Sequence, residues 1–243
     1  MTTPLANYRT EPLSIRYDRV RVRHSEALVS LLSPYLPDGA EVLEVGPGHG
    51  HFLRAAAQAG MLTDAIEPSD DFRSRLNDSG IDVSPEEVPP IRRPDRRYDL
   101  VNACMVLENM PTSREAGEFV CEAYRVMRPG GIISLIFPDY MVWGPFFFDE
   151  HYTHSFVTTE ERVRHLLACQ GFEVIRAEHV LGWYWVENTP LRAVARHVCN
   201  CLMWPLHTRF TYWLMRYAGL RKLHWKVRKT LFSAVVMIAR RPP

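Results

Sequence analysis

The sequence lacks the features that mark secreted, disulfide-rich or membrane-spanning proteins. Its first 23 residues contain no apolar segment followed by a small-residue cleavage site, and Arg196, His197 and Arg209 interrupt the best apolar stretch before it reaches 18 residues. The five cysteines are an odd number and include no CxxC pair of the kind that binds zinc. We therefore expect a cytoplasmic protein with reduced thiols and no transmembrane helix.

Acidic residues are absent from the last part of the chain. All 28 Asp and Glu residues lie at or before Glu187, whereas 11 of the 29 Lys and Arg residues follow it. The formal charge is therefore −10 for residues 1–187 and +11 for residues 188–243, although the whole chain carries only +1. This asymmetry favours contact of the basic part with an anionic partner, a membrane surface or the acidic body of the chain itself.

Apolar residues make up 47% of the sequence, and from residue 40 onward their pattern alternates between strands and helices. Such alternation is typical of a parallel sheet covered by helices on both faces. We predict one α/β domain over residues 1–243, with a doubly wound, mostly parallel sheet of seven strands. The strands are predicted at residues 41–45, 64–67, 81–83, 98–103, 132–137, 172–181 and 233–239.

The predicted domain has four consecutive parts. They are an N-terminal helical segment (1–39), the core of the sheet (40–182), a basic, tryptophan-rich insertion (183–229) and the closing strand (230–243). The insertion is predicted to be helical because apolar residues between Leu206 and Tyr217 recur at helical spacing. It stands before the last strand, so the sheet continues after it.

A glycine-rich turn follows the first strand. The segment Glu44-Val45-Gly46-Pro47-Gly48-His49-Gly50 leads from a strand into a helix, where glycines permit a tight turn and close approach of the backbone to a ligand. The next strand ends in Glu67, whose carboxylate can accept hydrogen bonds from both hydroxyls of a ribose. Together these features indicate a site for a cofactor that contains a nucleoside.

Five landmarks in order resemble those of class I S-adenosylmethionine-dependent methyltransferases, which have a Rossmann-like fold. The resemblance covers about residues 40–180 and resumes at 231–240. It rests on the segments Glu44 to Gly50, Ile66-Glu67-Pro68-Ser69, Tyr98-Asp99-Leu100-Val101, Val106-Leu107-Glu108 and Met127-Arg128-Pro129-Gly130-Gly131.

The resemblance implies S-adenosylmethionine as the cofactor. The glycine turn and the carboxylate before it would hold the methionine portion, the carboxylate after the second strand would hold the ribose, and the amide on the fourth strand would line the pocket near the sulfonium. The residues so implied are Glu44, Gly46, Pro47, Gly48, Gly50, Glu67, Pro68 and Asn102.

The sequence departs from the family pattern after the third predicted strand. Family members usually carry there an acidic residue for the adenine amino group and then a backbone amide for the adenine ring. Pro85 has no amide hydrogen to donate, so we expect the adenine contacts to fall on Ser84 or Glu86. The alternative is that Glu86 and Glu87 are ordinary solvated surface residues.

The loop after the fifth predicted strand is the candidate acceptor site. It lies by topology at the carboxyl ends of the strands, beside the cofactor crevice, and its two histidines stand among carboxylates and aromatic residues. We predict His154 as the general base, with His151 second, and Trp143, Phe147 and Tyr152 as pocket walls. The pair His151-x-x-His154 has no clear third ligand, so no metal site is predicted.

We expect a small-molecule acceptor, methylated on oxygen, of a lipid-linked, glycan or secondary-metabolite class. No nucleic-acid partner is expected, because no nucleic-acid-binding module is present and the body of the chain is acidic. Residues 190–229 are a candidate for peripheral contact with a membrane, and a lid over the acceptor or a dimer contact are alternatives. The oligomeric state stays open.

Two other functions fit parts of the same pattern. A nicotinamide- or nucleotide-sugar-dependent oxidoreductase uses a similar turn, although its third glycine usually comes one residue later than Gly50 does. A non-catalytic, membrane-associated cofactor-binding protein would retain the fold without turnover. Binding of S-adenosylmethionine rather than NAD(H) would distinguish a methyltransferase from the oxidoreductase. Transfer of a labelled methyl group would distinguish it from the non-catalytic protein.

Overall fold

A computed structural model describes residues 15–78, 80–181, 208–220 and 233–243, together with the single residues 191, 194, 198, 201 and 223. The described residues form one six-stranded sheet flanked by helices. The strands are β1 (Glu41–Val45), β2 (Leu62–Ile66), β3 (Tyr98–Cys104), β4 (Met127–Pro138), β5 (Glu173–Leu181) and β6 (Ser233–Arg240). The helices are α1 (Ile15–Leu32), α2 (His51–Gln58), α3 (Asp70–Asp78), α4 (Ser113–Val126), α5 (Tyr140–Trp143), α6 (Phe146–Glu150), α7 (Glu160–Cys169) and α8 (Arg209–Tyr217).

The strand order is β2-β1-β3-β4-β6-β5. The first four strands in this order are parallel, whereas β6 is antiparallel to both β4 and β5. Because β1 lies between β2 and β3, the carboxyl ends of these three strands meet at one edge of the sheet. The predicted glycine turn, Glu67 and Asn102 therefore come together there.

Both faces of the sheet are buried, as expected of a doubly wound fold. Side chains alternate along β1, so that Val42 packs on the face covered by α1 and α2 while Leu43 packs on the face covered by α4. The buried residues Phe52, Ala55 and Ala56 lie on the face of α2 that packs against the sheet. The Rossmann-like fold predicted from the sequence is confirmed.

The predicted number of seven strands is wrong for the described residues. The segment predicted as the third strand, 81–83, forms no strand and is followed by an isolated bridge between Ser84 and Ile66. Ser84 makes two backbone hydrogen bonds with the β2 segment, through its amide to the carbonyl oxygen of Ala65 (3.1 Å) and through its carbonyl to the amide of Glu67 (3.0 Å). Pairing with β2 is limited to this bridge, so the segment adds no strand to the sheet.

Two further boundaries differ from the predictions. The predicted turn at 128–131 lies within β4, which pairs with β3 through a register shift between Tyr98 and Leu100. In the insertion, α8 confirms helical structure over Arg209–Tyr217. The rest of residues 183–229 lies outside the described residues, apart from the single positions named above, 208 and 218–220. No helix within the described part of the chain is long and apolar enough to cross a membrane.

Candidate cofactor and acceptor sites

Backbone hydrogen bonds hold the glycine turn between β1 and α2 in place. The amide of Gly46 donates to the carbonyl oxygen of Ile66 over 2.8 Å, and the amide of Gly50 donates to that of Pro47 over 2.8 Å. Gly48 and Gly50 have φ angles of 55° and 72°, which favour glycine. A Cβ on Gly50 would lie 2.4 Å from Cδ2 of Leu76, whereas the atom nearest to a Cβ on Gly48 is Cζ of Phe72, at 3.9 Å. Gly50 thus permits close packing, and Gly48 leaves space for a ligand.

Glu67 lies just beyond β2 and is 5% exposed. Its Oε2 accepts a hydrogen bond from the amide of Gly48 (3.0 Å) and its Oε1 accepts one from the amide of Ser69 (2.9 Å). Burial raises the pKa of the Glu67 carboxyl, while the two amides act in the opposite direction. Each carboxylate oxygen keeps one lone pair, so the side chain can still accept the two hydroxyls of a ribose.

Glu44 and Asn102 are direct neighbours in the parallel pairing of β1 and β3. Nδ2 of Asn102 donates to Oε1 of Glu44 over 3.4 Å, whereas Oε2 of Glu44 is buried and has no hydrogen-bond partner among the described residues. Burial raises the pKa of the Glu44 carboxyl to about 8. A buried carboxylate atom without a partner fits a cationic ligand group, which would pair with the ionised form.

A cleft with an empty volume of about 740 Å³, including its open mouth, lies between α1 and the carboxyl ends of β1 and β3. Glu44, Gly46, Pro47, Gly48 and Asn102, all predicted from the sequence to contact the cofactor, line it. It is further lined by Cys104 and Met105 at the end of β3. The remaining lining residues are ones that the sequence analysis did not assign to the site: Arg21, His24, Ser25, Leu28, His49, His51, Phe52 and Phe72.

The helix α1 supplies four of these unassigned residues. Arg21, His24, Ser25 and Leu28 follow the spacing i, i+3, i+4 and i+7, which places them on one face of a helix. This periodicity was available in the sequence. The face mixes charged, polar and apolar residues, however, so it gave no hydrophobic stripe by which to recognise it as a lining surface.

The residues predicted to contact adenine lie in a polar network around Arg93. Nη2 of Arg93 donates to Oγ of Ser84 over 2.6 Å, and its Nη1 donates to Oε1 of Glu86 over 3.1 Å. Oε2 of Glu86 is buried without a hydrogen-bond partner in the described part of the chain. Pro68 lies next to Glu67, and its carbonyl oxygen accepts from Nη1 of Arg73 over 2.7 Å. The adenine contacts stay a prediction, with Glu86 Oε2 as the available acceptor.

His154 is buried in the loop between β4 and α7. Its Nδ1 lies 2.6 Å from the carbonyl oxygen of Phe147, and the two rings are 4.9 Å apart between centroids. A carbonyl oxygen only accepts, so Nδ1 carries the proton and Nε2 keeps its lone pair in the neutral ring. Burial lowers the pKa of His154, which favours this neutral form. The ring is therefore in the state that a general base requires.

His151 takes part in a chain of polar contacts that leads to the cofactor cleft. Its Nδ1 lies 2.6 Å from Oγ1 of Thr153, and that hydroxyl donates to Oδ1 of Asn109. Nδ2 of Asn109 donates over 2.9 Å to the carbonyl oxygen of Met105, which lines the cleft. The ring centroids of His151 and His154 are 5.9 Å apart. In the described residues, no three His, Cys, Asp or Glu side chains are placed to share a metal ion.

The aromatic residues of this loop divide into packed and exposed groups. Trp143 and Phe147 are buried in a cluster that also contacts Met105, whereas Tyr152 is largely exposed. The cluster thus joins the acceptor loop to the cleft through Met105. The structure brings both predicted histidines near the carboxyl end of β3, although neither of them lines the cleft itself.

Comparison with known proteins agrees with this arrangement. A protein solved from Haloferax volcanii in complex with the Trm112 methyltransferase activator superposes with a TM-score of 0.63 at 13% identity, covering 94% of each chain. A SAM-dependent methyltransferase from Archaeoglobus fulgidus gives a TM-score of 0.61 at 16% identity, covering 93% of this chain and 98% of the other. Magnesium protoporphyrin IX methyltransferase from Synechocystis, with bound SAH, gives 0.57 at 15% identity, covering 96% and 90%. These likenesses establish the fold.

No curated protein sequence matches the chain. The family model described as "Methyltransferase domain" matches residues 16–177, which include α1, the glycine turn, Glu67, Asn102 and both candidate histidines. This match favours a methyltransferase over the oxidoreductase considered from the sequence. Because it spans more than half of the sequence, the chain belongs to the methyltransferase domain family, and the class I S-adenosylmethionine-dependent methyltransferase predicted from the sequence is confirmed.

Proposed function

We propose that this enzyme methylates an oxygen atom of a small-molecule acceptor held beside the loop between β4 and α7. The observation that carries the proposal is the 2.6 Å contact between Nδ1 of His154 and the carbonyl oxygen of Phe147, which leaves Nε2 as the nitrogen that can take a proton. A hydroxyl acceptor must lose its proton on methylation, and a neutral imidazole can take it. A lipid-linked compound, a glycan and a secondary metabolite are the acceptor classes considered.

The residues of the cleft fit the cofactor in charge and in shape. Oε2 of Glu44 is a buried acceptor without a partner in the described structure, suited to the ammonium of the methionine portion. Glu67 would hold the ribose, and Gly48 would leave room for the bound chain. When bound, S-adenosylmethionine supplies an electrophilic methyl group on a sulfonium. The protein then has to hold the acceptor atom in line with the bond that breaks.

The two histidines would have different roles at the acceptor. His154 would accept the proton of the acceptor hydroxyl, because burial keeps its ring neutral. His151 would orient the acceptor, since Thr153 and Asn109 connect it to the backbone beside the cleft. The buried aromatic cluster of Trp143, Phe146 and Phe147 would exclude water from this side.

Methyl transfer to a fractionated extract tests the proposal. Purified enzyme with S-adenosylmethionine labelled in its methyl group should label a small-molecule or lipid fraction, and nuclear magnetic resonance of the product should show a methyl group on oxygen. Gly48→Asp should abolish the labelling, because a carboxylate would enter the cofactor cleft. Label found only in protein or nucleic acid, or a methyl group on nitrogen or carbon, would refute the acceptor assignment.

We further propose that residues 190–229 contact the surface of an anionic membrane. Helix α8 places Phe210, Trp213, Leu214 and Tyr217 at the spacing i, i+3, i+4 and i+7, and their side chains are 69%, 59%, 50% and 82% exposed. An exposed apolar stripe of this size is unusual for a surface that faces only water. The segment after Glu187 carries no acidic residue, so anionic lipid suits its charge.

Co-sedimentation with vesicles tests the membrane contact. The enzyme should bind phosphatidylcholine vesicles that contain phosphatidylglycerol more strongly than phosphatidylcholine alone, and high salt should weaken binding by screening. Trp213→Ser combined with Tyr217→Ser should reduce binding, whereas Leu62→Ser, which removes an exposed apolar side chain on β2, should leave it unchanged. Equal sedimentation of all proteins without vesicle dependence would remove the proposal.

A further inference from the structure

The cleft carries an acidic side chain and a basic side chain on different elements. Glu44 belongs to β1 on the floor of the cleft, and Arg21 belongs to α1, which covers it. The family landmarks recognised in the sequence begin at Glu44 and gave no role to α1. The methionine portion of the cofactor has a complementary pair of groups, because it ends in an ammonium and a carboxylate.

Arg21 is the permanently charged cation among the described residues that line the cleft. The other basic lining groups are histidines. Burial, with the neighbouring charges of His51 and Arg21, lowers the pKa of His49 to about 4 and keeps that ring neutral. Nε2 of His51 is directed to Asp18 at 2.8 Å. Arg21 lines the cleft together with His49 of the glycine turn and Cys104 at the end of β3.

The anchoring of α1 makes Arg21 a defined part of the site. Leu28 packs in the same apolar cluster as Phe52 of α2, and the contact of His51 with Asp18 joins the two helices nearer the N-terminus of α1. These contacts lie on both sides of Arg21 along α1. The backbone of α1 at Arg21 is therefore held in place beside the cleft, and the Arg21 side chain can contact a ligand there.

We propose that Arg21 binds the carboxylate of the cofactor's amino acid group, opposite the ammonium held by Glu44. Guanidinium and carboxylate form paired, charge-assisted hydrogen bonds, which are stronger than those between neutral groups. The proposal rests on the S-adenosylmethionine site described above and extends that site to α1. It makes α1 a recognition element for the amino acid end of the cofactor.

Decarboxylated S-adenosylmethionine provides the test, because it keeps the ammonium, the sulfonium and the nucleoside but lacks the carboxylate. Calorimetry should show that the wild type binds S-adenosylmethionine about 10 to 100 times more tightly than the decarboxylated compound, as expected for a charged hydrogen bond. Arg21→Ala should lose most of this preference by weakening only the complete cofactor. Arg21→Lys should retain part of it, since the charge remains.

Arg23→Ala is the matched control, because Arg23 is an exposed residue of the same helix that does not line the cleft. It should preserve the preference of the wild type. A preference that survives in Arg21→Ala would overturn the proposal. So would an equal loss of affinity for both compounds, which would assign Arg21 a purely structural role. If the wild type bound neither compound, the cofactor site itself would fail, and this result is distinct from both others.

Discussion

The amide of Gly48 donates a hydrogen bond to Oε2 of Glu67 over 3.0 Å. This contact joins the turn after β1 to the end of β2, so two parts of the proposed cofactor site that lie 19 residues apart hold each other in place. The amide of Ser69 holds the other carboxylate oxygen over 2.9 Å. The residue that is expected to bind the ribose is thus also a structural support for the glycine turn.

Replacing Glu67 by Gln should therefore affect both binding and stability. One of the two backbone amides would face the side-chain NH₂ in place of an oxygen, and an unsatisfied buried donor costs about 1–3 kcal/mol. We expect urea unfolding to show a loss of this size and calorimetry to show at least about a 10-fold weaker binding of S-adenosylhomocysteine. Glu87→Gln, on the nearby loop, is the control. Unchanged affinity in Glu67→Gln would remove Glu67 from the ribose site.

Alanine substitutions in the glycine turn should separate packing from binding. Both Gly48 and Gly50 have positive φ angles, so each alanine costs about 1–2 kcal/mol in backbone strain. Gly50→Ala should destabilise the protein further, since the new Cβ would lie 2.4 Å from Leu76, while at Gly48 the nearest atom is 3.9 Å away. Gly48→Ala should instead lose more affinity for S-adenosylhomocysteine than Gly50→Ala does, relative to the free energy of unfolding that each variant loses. Thermal unfolding and calorimetry on both variants measure the two effects. An equal ratio of lost affinity to lost stability in the two variants would contradict these separate roles.

The strands that carry the proposed cofactor site could be predicted from the sequence because short-range patterns determine them. The apolar run before Glu44 gave β1 with the correct bounds, and the spacing to Glu67 placed two carboxylates at neighbouring strand ends. The prediction of a seventh strand was wrong because this segment pairs with β2 only through the bridge at Ser84. A count of apolar residues at 81–83 could not show that the ladder would stop there.

Arg21 and the state of His154 depend on tertiary packing and lay beyond the sequence patterns. Nothing in the composition of α1 shows that its mixed polar face covers β1 and β3. The carbonyl oxygen that holds Nδ1 of His154 belongs to Phe147, in a short helix whose placement follows from the aromatic cluster around Trp143. The sequence supplied both histidines as candidates, but it could not show which partner each ring nitrogen meets.

Cofactor binding should release a proton because of Glu44. Its pKa in the free protein is raised to about 8, so at pH 7 the carboxyl is mostly protonated. The bound ammonium would favour the ionised form, which lowers this pKa in the complex. Binding of S-adenosylhomocysteine should therefore release about one proton at pH 7, and affinity should rise with pH up to about 8 and then level off.

Calorimetry in buffers of different ionisation enthalpy measures this proton count directly. Glu44→Gln should reduce this release, because the side-chain amide has no proton to lose on binding. Glu41→Gln is a suitable control on the same strand, because Glu41 pairs with Arg97 and Arg128 away from the cleft. If wild type and Glu44→Gln released equal numbers of protons, Glu44 would not be the group that meets the ammonium.

Glu108 should make the stability of the protein depend on pH. Its side chain is fully buried, neither carboxylate oxygen has a hydrogen-bond partner in the described part of the chain, and burial raises its pKa to about 8. The unfolded chain, with a pKa near the usual 4.5, then binds fewer protons than the folded protein between these two values. The free energy of unfolding should accordingly fall as the pH rises from about 4.5 to 8.

Glu108→Gln should remove this contribution, since the amide is neutral at every pH in that window. The variant should gain stability relative to the wild type as the pH rises from 5 to 8, by up to about 1.4 kcal/mol per pH unit. Its backbone carbonyl accepts hydrogen bonds from the amides of Ser155 and Phe156, and the substitution leaves that carbonyl in place. Urea unfolding at several pH values gives the difference, with Glu118→Gln on the exposed side of α4 as the control. Parallel curves for wild type and Glu108→Gln would show that the Glu108 carboxyl titrates alike in the folded and unfolded states, and its burial would then carry no electrostatic cost.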